Sequence, residues 1–343
     1  MLSLSGVVKA VGPYGGYKLA STLTQRYPRI LMYHRFSVEG TNGAISKRVL
    51  ERQFAYLKDR FEVLSLTEAL NRCSPSRSRS GRSKPIVTIT IDDGYRDFYE
   101  ICFPLLKKYR FPATFYVATD FVGDGIWLWH DKLKWIIENS IDISEPLSIG
   151  GVEYSPEYWR ENKEKLWFEL VSAMLKIPGQ DINDLLERIS FLTNVQPPKS
   201  PIEQYRSVSW SELREMQNNG VSVGGHTKDH FSLGHLSEGG VRDQVIGCRD
   251  HLSHELGELG RHFCFPNGQP SDITDFSKME VKNAGFESAV AAYYDRWGIS
   301  DRFSMSRHGV GENWFEFLKT VWGIDRLGAL LLDRDSKFDW GNI

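Results

Sequence analysis

Short apolar runs alternate along this chain with segments of helical periodicity, and this alternation limits the fold more than any other feature of the sequence. The runs have the length of buried strands, and helical patterns fill most of the intervals between them. Such a rhythm is typical of parallel strands joined by helical crossovers, so we expect an α/β protein. The predicted strands cover residues 30–33, 63–66, 86–91, 113–118, 221–225 and 263–265, and the helical patterns include about 98–109, 237–256 and 276–284.

The composition and net charge limit which kinds of molecule the protein is expected to bind. The chain has 343 residues, of which 41% are hydrophobic and 25% are charged, as is usual for a globular protein with a sizeable core. Its formal net charge of -2 provides no overall field that would hold it on nucleic acid or on an anionic membrane. We therefore expect no nucleic-acid partner, and a small neutral substrate fits this charge best.

The N-terminal segment and the cysteines bear on the cellular compartment. Within residues 1–20, glycines, a proline and a lysine interrupt each apolar run before it reaches the length of a signal peptide or a membrane span. This pattern predicts a cytoplasmic protein without a transmembrane segment. The cysteines are far apart and form no CxxC pair, so we expect free thiols; they are Cys73, Cys102, Cys248 and Cys264.

Two stretches interrupt the alternation of strands and helices. Residues 73–85 are rich in serine and arginine and lack hydrophobic periodicity, which predicts a surface loop, with an anion site as the alternative. Residues about 125–205 carry tryptophans in amphipathic helical patterns, which predicts a helical insertion whose tryptophans mostly fill a core. The last periodic segment, 314–332, predicts one closing amphipathic helix.

The strongest local signal is the segment IVTITIDDGYRDF. The run 86–91 has the character of a buried strand and ends in Asp92 and Asp93, followed by Gly94. Two adjacent carboxylates disfavour each other's ionisation unless a cation or a proton separates their roles, which favours a metal site. A capped turn between a strand and a helix is an equally good interpretation of this motif alone, because aspartate and glycine are common turn residues.

A second signal, VSVGGHTKDHFSL, places His226 and His230 four residues apart, just after another apolar run. A helical turn at this point would bring both imidazoles to one face. Two such histidines and a carboxylate suit a divalent transition metal that keeps one position open for water. Together the two motifs offer one carboxylate and two imidazoles as ligands, with a second carboxylate left for base catalysis.

Both motifs, in this order, resemble those of the polysaccharide deacetylases, the NodB homology family, also called carbohydrate esterase family 4. The resemblance implies a distorted (β/α) barrel of the polysaccharide deacetylase type, with its site at the C-terminal ends of the strands. It covers about 28–310 apart from the insertion, which would lie over the barrel mouth, with an extension at 1–27 and the closing helix and tail at 311–343. Further similar segments are 30–36, 61–70, 111–119 and 263–269.

The resemblance also implies roles for the motif residues. Asp92 would be the general base, and the metal, which we expect to be zinc, would be bound by Asp93, His226 and His230. In many members the third motif reads RxPY, whereas here Cys264 stands at the arginine position and Asn267 at the tyrosine position. The contact by which that arginine orients the base is therefore not expected from this motif.

The backbone N–H of Asn267 would match the oxyanion donor of the family, since this role needs no particular side chain. Two histidines are candidates for the general acid. A late motif holds the acid in many members, which by position favours His308, yet SRHGV resembles instead an arginine followed by an aliphatic residue. His34 resembles the histidine that the poly-N-acetylglucosamine deacetylase branch carries in an N-terminal segment. We expect His34 to be the acid, with a structural role as the alternative.

The resemblance thus implies a metal-dependent hydrolase that removes the acetyl group from an N-acetylated sugar of a polysaccharide, an oligosaccharide or a precursor, and releases acetate. A cytoplasmic precursor is the expected substrate, and stacking of insertion tryptophans on sugar rings is an alternative to their place in a core. Two other classes stay open: a catalytically silent carbohydrate-binding protein on the same barrel, and an O-acetyl esterase or an amidase of a non-sugar substrate.

Overall fold

The computed structural model describes residues 16–41, 43–73, 84–123, 125–257, 260–293 and 298–332. Its strands are β1 (Arg29–Tyr33), β2 (Arg35–Ser37), β3 (Ala44–Ser46), β4 (Glu62–Val63), β5 (Ile86–Ile91), β6 (Ala113–Val117), β7 (Leu147–Ile149), β8 (Val152–Tyr154), β9 (Val221–Gly225), β10 (His262–Cys264), β11 (Ser288–Val290) and β12 (His308–Gly309). The predicted strands are present. The one predicted at 263–265 is shifted by one residue, and of 63–66 only Val63 lies in a strand, since α3 begins at Leu66.

The α-helices cover and connect these strands. They are α1 (Gly16–Leu23), α2 (Lys47–Arg60), α3 (Leu66–Arg72), α4 (Phe103–Tyr109), α5 (Trp129–Asn139), α6 (Pro156–Glu161), α7 (Lys163–Met174), α8 (Gly179–Thr193), α9 (Trp210–Asn218), α10 (Glu238–Leu256), α11 (Asp275–Asn283), α12 (Trp314–Val321) and α13 (Ile324–Leu332). A π-helical turn, Phe98–Cys102, leads into α4, and short 3-10 helices lie at Glu203–Tyr205, Leu233–His235 and Pro270–Asp272.

One parallel sheet curls round into a barrel. Its strand order is β11-β10-β9-β6-β5-β1-β12, with β4 alongside β5. The segment that leads into β12 closes the curl, because Met305 forms a parallel bridge with Val290 of β11, while His308 of β12 pairs with Leu31 of β1. The predicted fold, a distorted (β/α) barrel, is therefore confirmed.

Alternation along β5 separates the two faces of the barrel wall. Val87, Ile89 and Ile91 belong to the large hydrophobic cluster that the wall forms with the covering helices. Thr90, on the other face, binds Arg307 inside the barrel. All six residues of β5 are buried, as is usual for a parallel strand covered on both faces. This alternation directs the residue after the strand, Asp92, towards the interior and the C-terminal mouth.

The insertion has a hydrophobic core of its own. Helices α5 to α8 and the antiparallel hairpin β7–β8 bury Trp129 and Trp159 in one cluster that also includes Phe231 of the barrel. Trp159 is fully buried and donates from its indole N–H to Ser140. The expectation that most of the tryptophans fill a core agrees with these contacts, and the hairpin is an element that the helical pattern did not predict.

The prediction of one closing helix is wrong. The segment 314–332 forms two helices, α12 and α13, separated at Gly323, whose φ is +76°. A Cβ at this position would lie 2.3 Å from Oγ1 of Thr24 and 2.5 Å from Nη2 of Arg29, so the close approach of the break to these side chains requires glycine. The periodic apolar pattern continues through the break, which is why it indicated a single helix.

The serine- and arginine-rich loop predicted at 73–85 lies outside the described residues for 74–83, as do residues 1–15 and 333–343. All four cysteines are free, as predicted, and the structure shows that all four are buried. Among the described residues, no helix combines the length and the apolar character needed to cross a bilayer.

Candidate active site

Asp92 and Asp93 lie in a tight turn at the C-terminal end of β5. Asp93 has a φ of +81° and Gly94 one of +112°, and an aspartate is one of the few side chains that tolerate such a backbone. The turn is fixed by hydrogen bonds from the amide of Ala118 to the carbonyl of Asp93 and from the amide of Val208 to the carbonyl of Gly94, each 3.0 Å long. The strained turn points the two neighbouring carboxylates to different partners.

His226 and His230 follow β9, but the chain between them is not the helical turn that their spacing suggested. Thr227 and His230 both have positive φ values, 63° and 61°. The amide of His230 donates to the hydroxyl of Thr227 at 3.0 Å, which stabilises this conformation. The two imidazole rings still converge, with centroids 4.8 Å apart, through a left-handed turn instead of a helix.

Three of the predicted site residues meet at one point. Oδ1 of Asp93 lies 3.3 Å from Nε2 of His226 and 3.1 Å from Nε2 of His230, and all three side chains are buried. Burial raises the pKa of Asp93, but hydrogen bonds from the two histidines outweigh it and hold that pKa well below its ordinary value. Nδ1 of His226 is bound at 2.8 Å to the carbonyl of Cys264, which directs Nε2 to Asp93.

These three side chains fit a divalent metal ion. The two imidazole nitrogens and the carboxylate oxygen lie within 4.8 Å of one another, as the ligands of one ion would. A second group, Asp92, His226 and Cys264, is equally compact but fits poorly. Burial raises the pKa of the Cys264 thiol well above its ordinary value, whereas a metal requires the thiolate.

Asp92 is held by Arg307, a site residue that the sequence reasoning did not assign. Nη1 of Arg307 donates to Oδ1 of Asp92 and Nη2 donates to Oδ2, each at 2.6 Å. Arg307 also donates to the carbonyl of Ala291 at 2.8 Å, to the hydroxyl of Thr90 at 3.1 Å and to the sulfur of Cys264 at 3.0 Å. Burial raises the pKa of Asp92, but Arg307 lowers it below its ordinary value by its charge and its hydrogen bonds.

The signal that could have identified Arg307 was present in SMSRHGV, which resembles an arginine-containing segment of the family. In the structure the arginine orients Asp92 from the position just before β12, while Cys264, at the arginine position of the third motif, lies beside the same guanidinium. The contact that orients the base is therefore present, but Arg307 makes it instead of a residue of the third motif.

The two candidate acid histidines lie in different places. Nε2 of His34, just after β1, is 3.7 Å from Oδ2 of Asp92, and 17% of its side chain is exposed. His308 is buried on β12 with its ring edge-on to Tyr27, at a centroid distance of 6.0 Å. Burial, and then the charges of Arg29 and Arg326, lower the pKa of His308 to about 3. The structure thus brings His34, but not His308, to Asp92.

Asn267 lies in the loop after β10 with a φ of +56°. Gly268, the next residue, donates its amide to the carbonyl of Pro266 at 2.6 Å, which tightens the loop. Within the described part of the chain, the backbone N–H of Asn267 donates to no other backbone group outside helices and strands. This N–H is available for the predicted oxyanion contact, which stays a prediction.

The insertion contributes a polar cluster beside the three side chains that fit a metal ion. His130, from the start of α5, has its ring centroid 5.2 Å from that of His230. The hydroxyl of Tyr95 contacts both Nε2 of His130, at 3.2 Å, and Oδ2 of Asp131, at 2.5 Å. Burial raises the pKa of Asp131 to about 6, and nearby Arg35 opposes that shift. No motif of the sequence indicates this cluster, because Tyr95 follows β5 whereas His130 and Asp131 belong to α5 of the insertion.

Comparisons with known proteins agree with the fold and the motifs. A family model described as polysaccharide deacetylase matches residues 79–145 and 187–289. The poly-beta-1,6-N-acetyl-D-glucosamine N-deacetylase of Staphylococcus aureus (strain MSSA476) is 30% identical over 118 residues, which are 32% of this chain and 39% of that protein. The chain spans about 40% of the length of the first curated relative that it matches.

Solved structures of similar fold cover most of the chain. The deacetylase PplD of Streptococcus pyogenes, solved in complex with acetate, has a TM-score of 0.55 and 18% identity, over 86% of this chain and 98% of that one. IcaB from Ammonifex degensii has a TM-score of 0.54 and 17% identity, over 87% and 97% of the two chains. At these identities the likeness concerns the fold. The family match, together with the two motifs at their strand ends, establishes that this chain belongs to the polysaccharide deacetylase family.

Proposed function

We propose that this protein is a metal-dependent deacetylase that hydrolyses the acetamide of an N-acetylated sugar and releases acetate. The observation that carries the proposal is the division of labour between two adjacent carboxylates. Asp93 lies against His226 and His230 in a group that fits a metal ion, whereas Asp92 lies against Arg307 and stays available as a base. A purely structural strand end would not need this division.

Asp93, His226 and His230 would hold a divalent ion, for which zinc is our prediction, and this ion would supply Lewis-acid activation of the amide carbonyl and of water. The chain itself supplies the groups that orient the substrate and move protons. The buried position of the ligand group, with the side chain of Asp93 only 9% exposed, also limits the access of other water.

Asp92 is the proposed general base. Oδ1 accepts a hydrogen bond from Arg307, whereas Oδ2 accepts one from Arg307 and one from the thiol of Cys264 at 3.5 Å. Oδ1 therefore keeps a lone pair that can take the proton of the attacking water. Arg307 is itself buried and bonded to Thr90, so it holds the carboxylate in one orientation. By favouring the charged form of Asp92, Arg307 keeps the base ready at neutral pH.

His34 is the proposed general acid. Its Nε2 is 3.7 Å from Oδ2 of Asp92, so a proton taken up by the base has a short path to the imidazole. The backbone N–H of Asn267 is the proposed donor to the oxyanion. In the complete reaction the oxygen of water bonds to the carbonyl carbon, the C–N bond breaks, and the amine nitrogen receives a proton from His34. The products are acetate and a free sugar amine.

A catalytically silent carbohydrate-binding protein is the main rival. The altered third motif favoured this alternative, because Cys264 cannot form the ion pair that an arginine would form with the base. Arg307 supplies that ion pair from the segment just before β12. A binding protein has no use for a buried arginine that orients an unligated carboxylate, so the geometry supports the enzyme.

The saccharide on which the protein acts is the next part of the proposed function. The staphylococcal relative is named for its action on poly-beta-1,6-N-acetyl-D-glucosamine, which makes β-1,6-linked N-acetylglucosamine oligosaccharides the first compounds to test. We keep the prediction of a cytoplasmic N-acetylated precursor as an alternative substrate.

Acetate release from matched N-acetyl and O-acetyl saccharides tests the proposal. We expect the zinc-loaded protein to hydrolyse an N-acetyl saccharide, to lose this activity with a chelator and to regain it when zinc is restored. Hydrolysis of the O-acetyl compounds alone would assign an esterase instead. Saccharide binding without acetate release from either series, at full metal occupancy, would assign a binding protein.

A further inference from the structure

His130 lies at the mouth of the candidate site and has no role in the mechanism above. Its side chain is 19% exposed, compared with 2% for His226 and 8% for His230. The start of α5 is fixed there, because the indole N–H of Trp129 donates to the carbonyl of His230 at 3.3 Å, and that of Trp167 donates to the carbonyl of His130 at 3.0 Å. The imidazole is therefore a fixed, accessible group beside the proposed ligands.

The contacts of Tyr95 determine which nitrogen of His130 carries the proton. The Tyr95 hydroxyl lies 2.5 Å from Oδ2 of Asp131 and 3.2 Å from Nε2 of His130. An ionised carboxylate can only accept, so the single hydrogen of the phenol is donated to Asp131. Nε2 of His130 must then donate to the phenolic oxygen. In a neutral imidazole this leaves Nδ1 as a hydrogen-bond acceptor.

Tyr95 is itself held in place. The guanidinium of Arg35 lies 3.8 Å from the centre of its ring, and Nε of Arg35 donates to Asp97 at 2.6 Å. Phe121 packs edge-on to the same ring with centroids 5.3 Å apart. The group that sets the His130 tautomer is therefore rigid, and the direction of the imidazole is set with it.

Nδ1 of His130 is open to a ligand. Among the described residues, no group forms a hydrogen bond with this nitrogen. It is also not one of the buried atoms without a partner, so it is accessible to solvent. Sugar hydroxyl groups are hydrogen-bond donors, so an accessible acceptor at the mouth of a deacetylase site suits a hydroxyl of the substrate. The acetamide carbonyl would lie at the proposed metal ligands. The group that Nδ1 of His130 contacts would therefore be a hydroxyl of the same sugar.

We propose that His130 positions the substrate through Nδ1, which accepts a hydrogen bond from a hydroxyl group of the sugar that carries the acetamide, while Tyr95 and Asp131 hold the imidazole in the Nε2–H form. This inference rests on the proposed deacetylase function and adds a contact that selects the orientation of the sugar.

The tautomer can be measured without a substrate. In the metal-loaded protein labelled with ¹⁵N-histidine, we expect the ring nitrogen shifts of His130, assigned by comparison with His130→Gln, to show the Nε2–H form. In Tyr95→Phe the preference for this form should be lost, because the acceptor for Nε2–H is absent. A predominant Nδ1–H form in the wild type would overturn the inference whatever the activity.

Two substitutions separate the contacts of the two nitrogens. His130→Gln keeps a donor near the position of Nε2 and loses the acceptor, whereas His130→Asn places a carbonyl oxygen near the position of Nδ1. We expect KM of His130→Gln to rise about 10-fold, the scale of one hydrogen bond, with kcat changed less than about threefold. The rise in KM should be smaller for His130→Asn, and metal content should be unchanged in both.

A series of monodeoxy N-acetyl saccharides identifies the contact. Removal of the hydroxyl that His130 binds should raise KM of the wild type about as much as His130→Gln does, and should have no further effect in that variant. Wild-type turnover with an unchanged KM in His130→Gln, or fully additive losses for every monodeoxy compound, would overturn this inference alone. Failure of the wild type to hydrolyse any N-acetyl saccharide would overturn the proposed function, and this inference with it.

Discussion

Arg307 binds Asp92 through both terminal nitrogens of its guanidinium, with two hydrogen bonds of 2.6 Å. The arginine follows β11 and immediately precedes β12, so it reaches the aspartate from the closing edge of the barrel. Its Nη2 also donates to the sulfur of Cys264, which stands at the arginine position of the third motif. The ionic contact with the base is thus made from a different segment of the chain, and the predictions for the base depend on this contact.

Replacing Arg307 by lysine should impair the chemical step. Arg307→Lys keeps a positive charge but cannot donate to both oxygens of Asp92 in a fixed plane. We expect kcat to fall by about 100-fold, the scale of a disturbed acid–base group, with little change in metal content. Steady-state acetate release together with elemental analysis of the purified variant measures both.

An arginine introduced at position 264 provides the control for the loss of Arg307. In Arg307→Ala combined with Cys264→Arg, the guanidinium returns to the position of the third motif, next to the space that Arg307 vacates. We expect the double variant to be more active than Arg307→Ala alone. If Arg307→Ala kept wild-type kcat, Arg307 would have no positioning role.

His34 and His308 should differ sharply in their effect on turnover. His34→Ala removes the imidazole that lies 3.7 Å from Asp92, so we expect kcat to fall by about 100-fold or more, with metal content unchanged. His308→Ala removes a ring that packs against Tyr27 away from Asp92, and should affect stability more than kcat. The reverse ranking of the two kcat values would move the acid to the C-terminal segment.

The protein should hold about one divalent ion per chain, as expected for three protein ligands with an open position. His226→Ala and His230→Ala should each lower the metal occupancy, because each removes an imidazole from the group around Asp93. His254→Ala, at a side chain that is 82% exposed, is the matched control and should keep the ion. Full occupancy in both ligand variants would show that the metal lies elsewhere.

The break between α12 and α13 gives a prediction about stability. Gly323→Ala should lower the free energy of unfolding by about 1–3 kcal/mol, because alanine is strained at a positive φ and its Cβ would clash with Thr24 and Arg29. Gly328→Ala, within α13, meets nothing within 4 Å and should raise it by about 0.5–1 kcal/mol. Denaturant unfolding of the two variants provides the test, and equal effects would contradict the requirement for glycine at the break.

Some of the site could be read from short segments, since its residues follow strands directly. The run 86–91 identifies a buried strand, and a parallel sheet places the residues after it, Asp92 and Asp93, at the same edge as those after β9. The proximity of Asp93 to His226 and His230 follows from this topology. Their local conformation does not, because the left-handed turn at Thr227 and His230 has no periodic signature.

Other site residues could not be predicted because their positions depend on the closure of the barrel and on the insertion. Arg307 meets Asp92 only once the last strand has returned beside β1. His130 reaches the site because the insertion packs against the barrel loop that holds Phe231. Hydrophobic patterns predict the secondary structure of each segment, but they do not predict which distant segments line the same cavity.

The central claim is that Asp92 is the base beside a separate metal-binding carboxylate, and the Asp92→Asn variant tests it most directly. Asparagine keeps the shape of the side chain and leaves Asp93, His226 and His230 in place, but it cannot take the proton of water. Acetate release from an N-acetyl saccharide should be abolished in this variant while the metal stays bound. Near-normal release of acetate by fully metal-loaded Asp92→Asn would contradict the account.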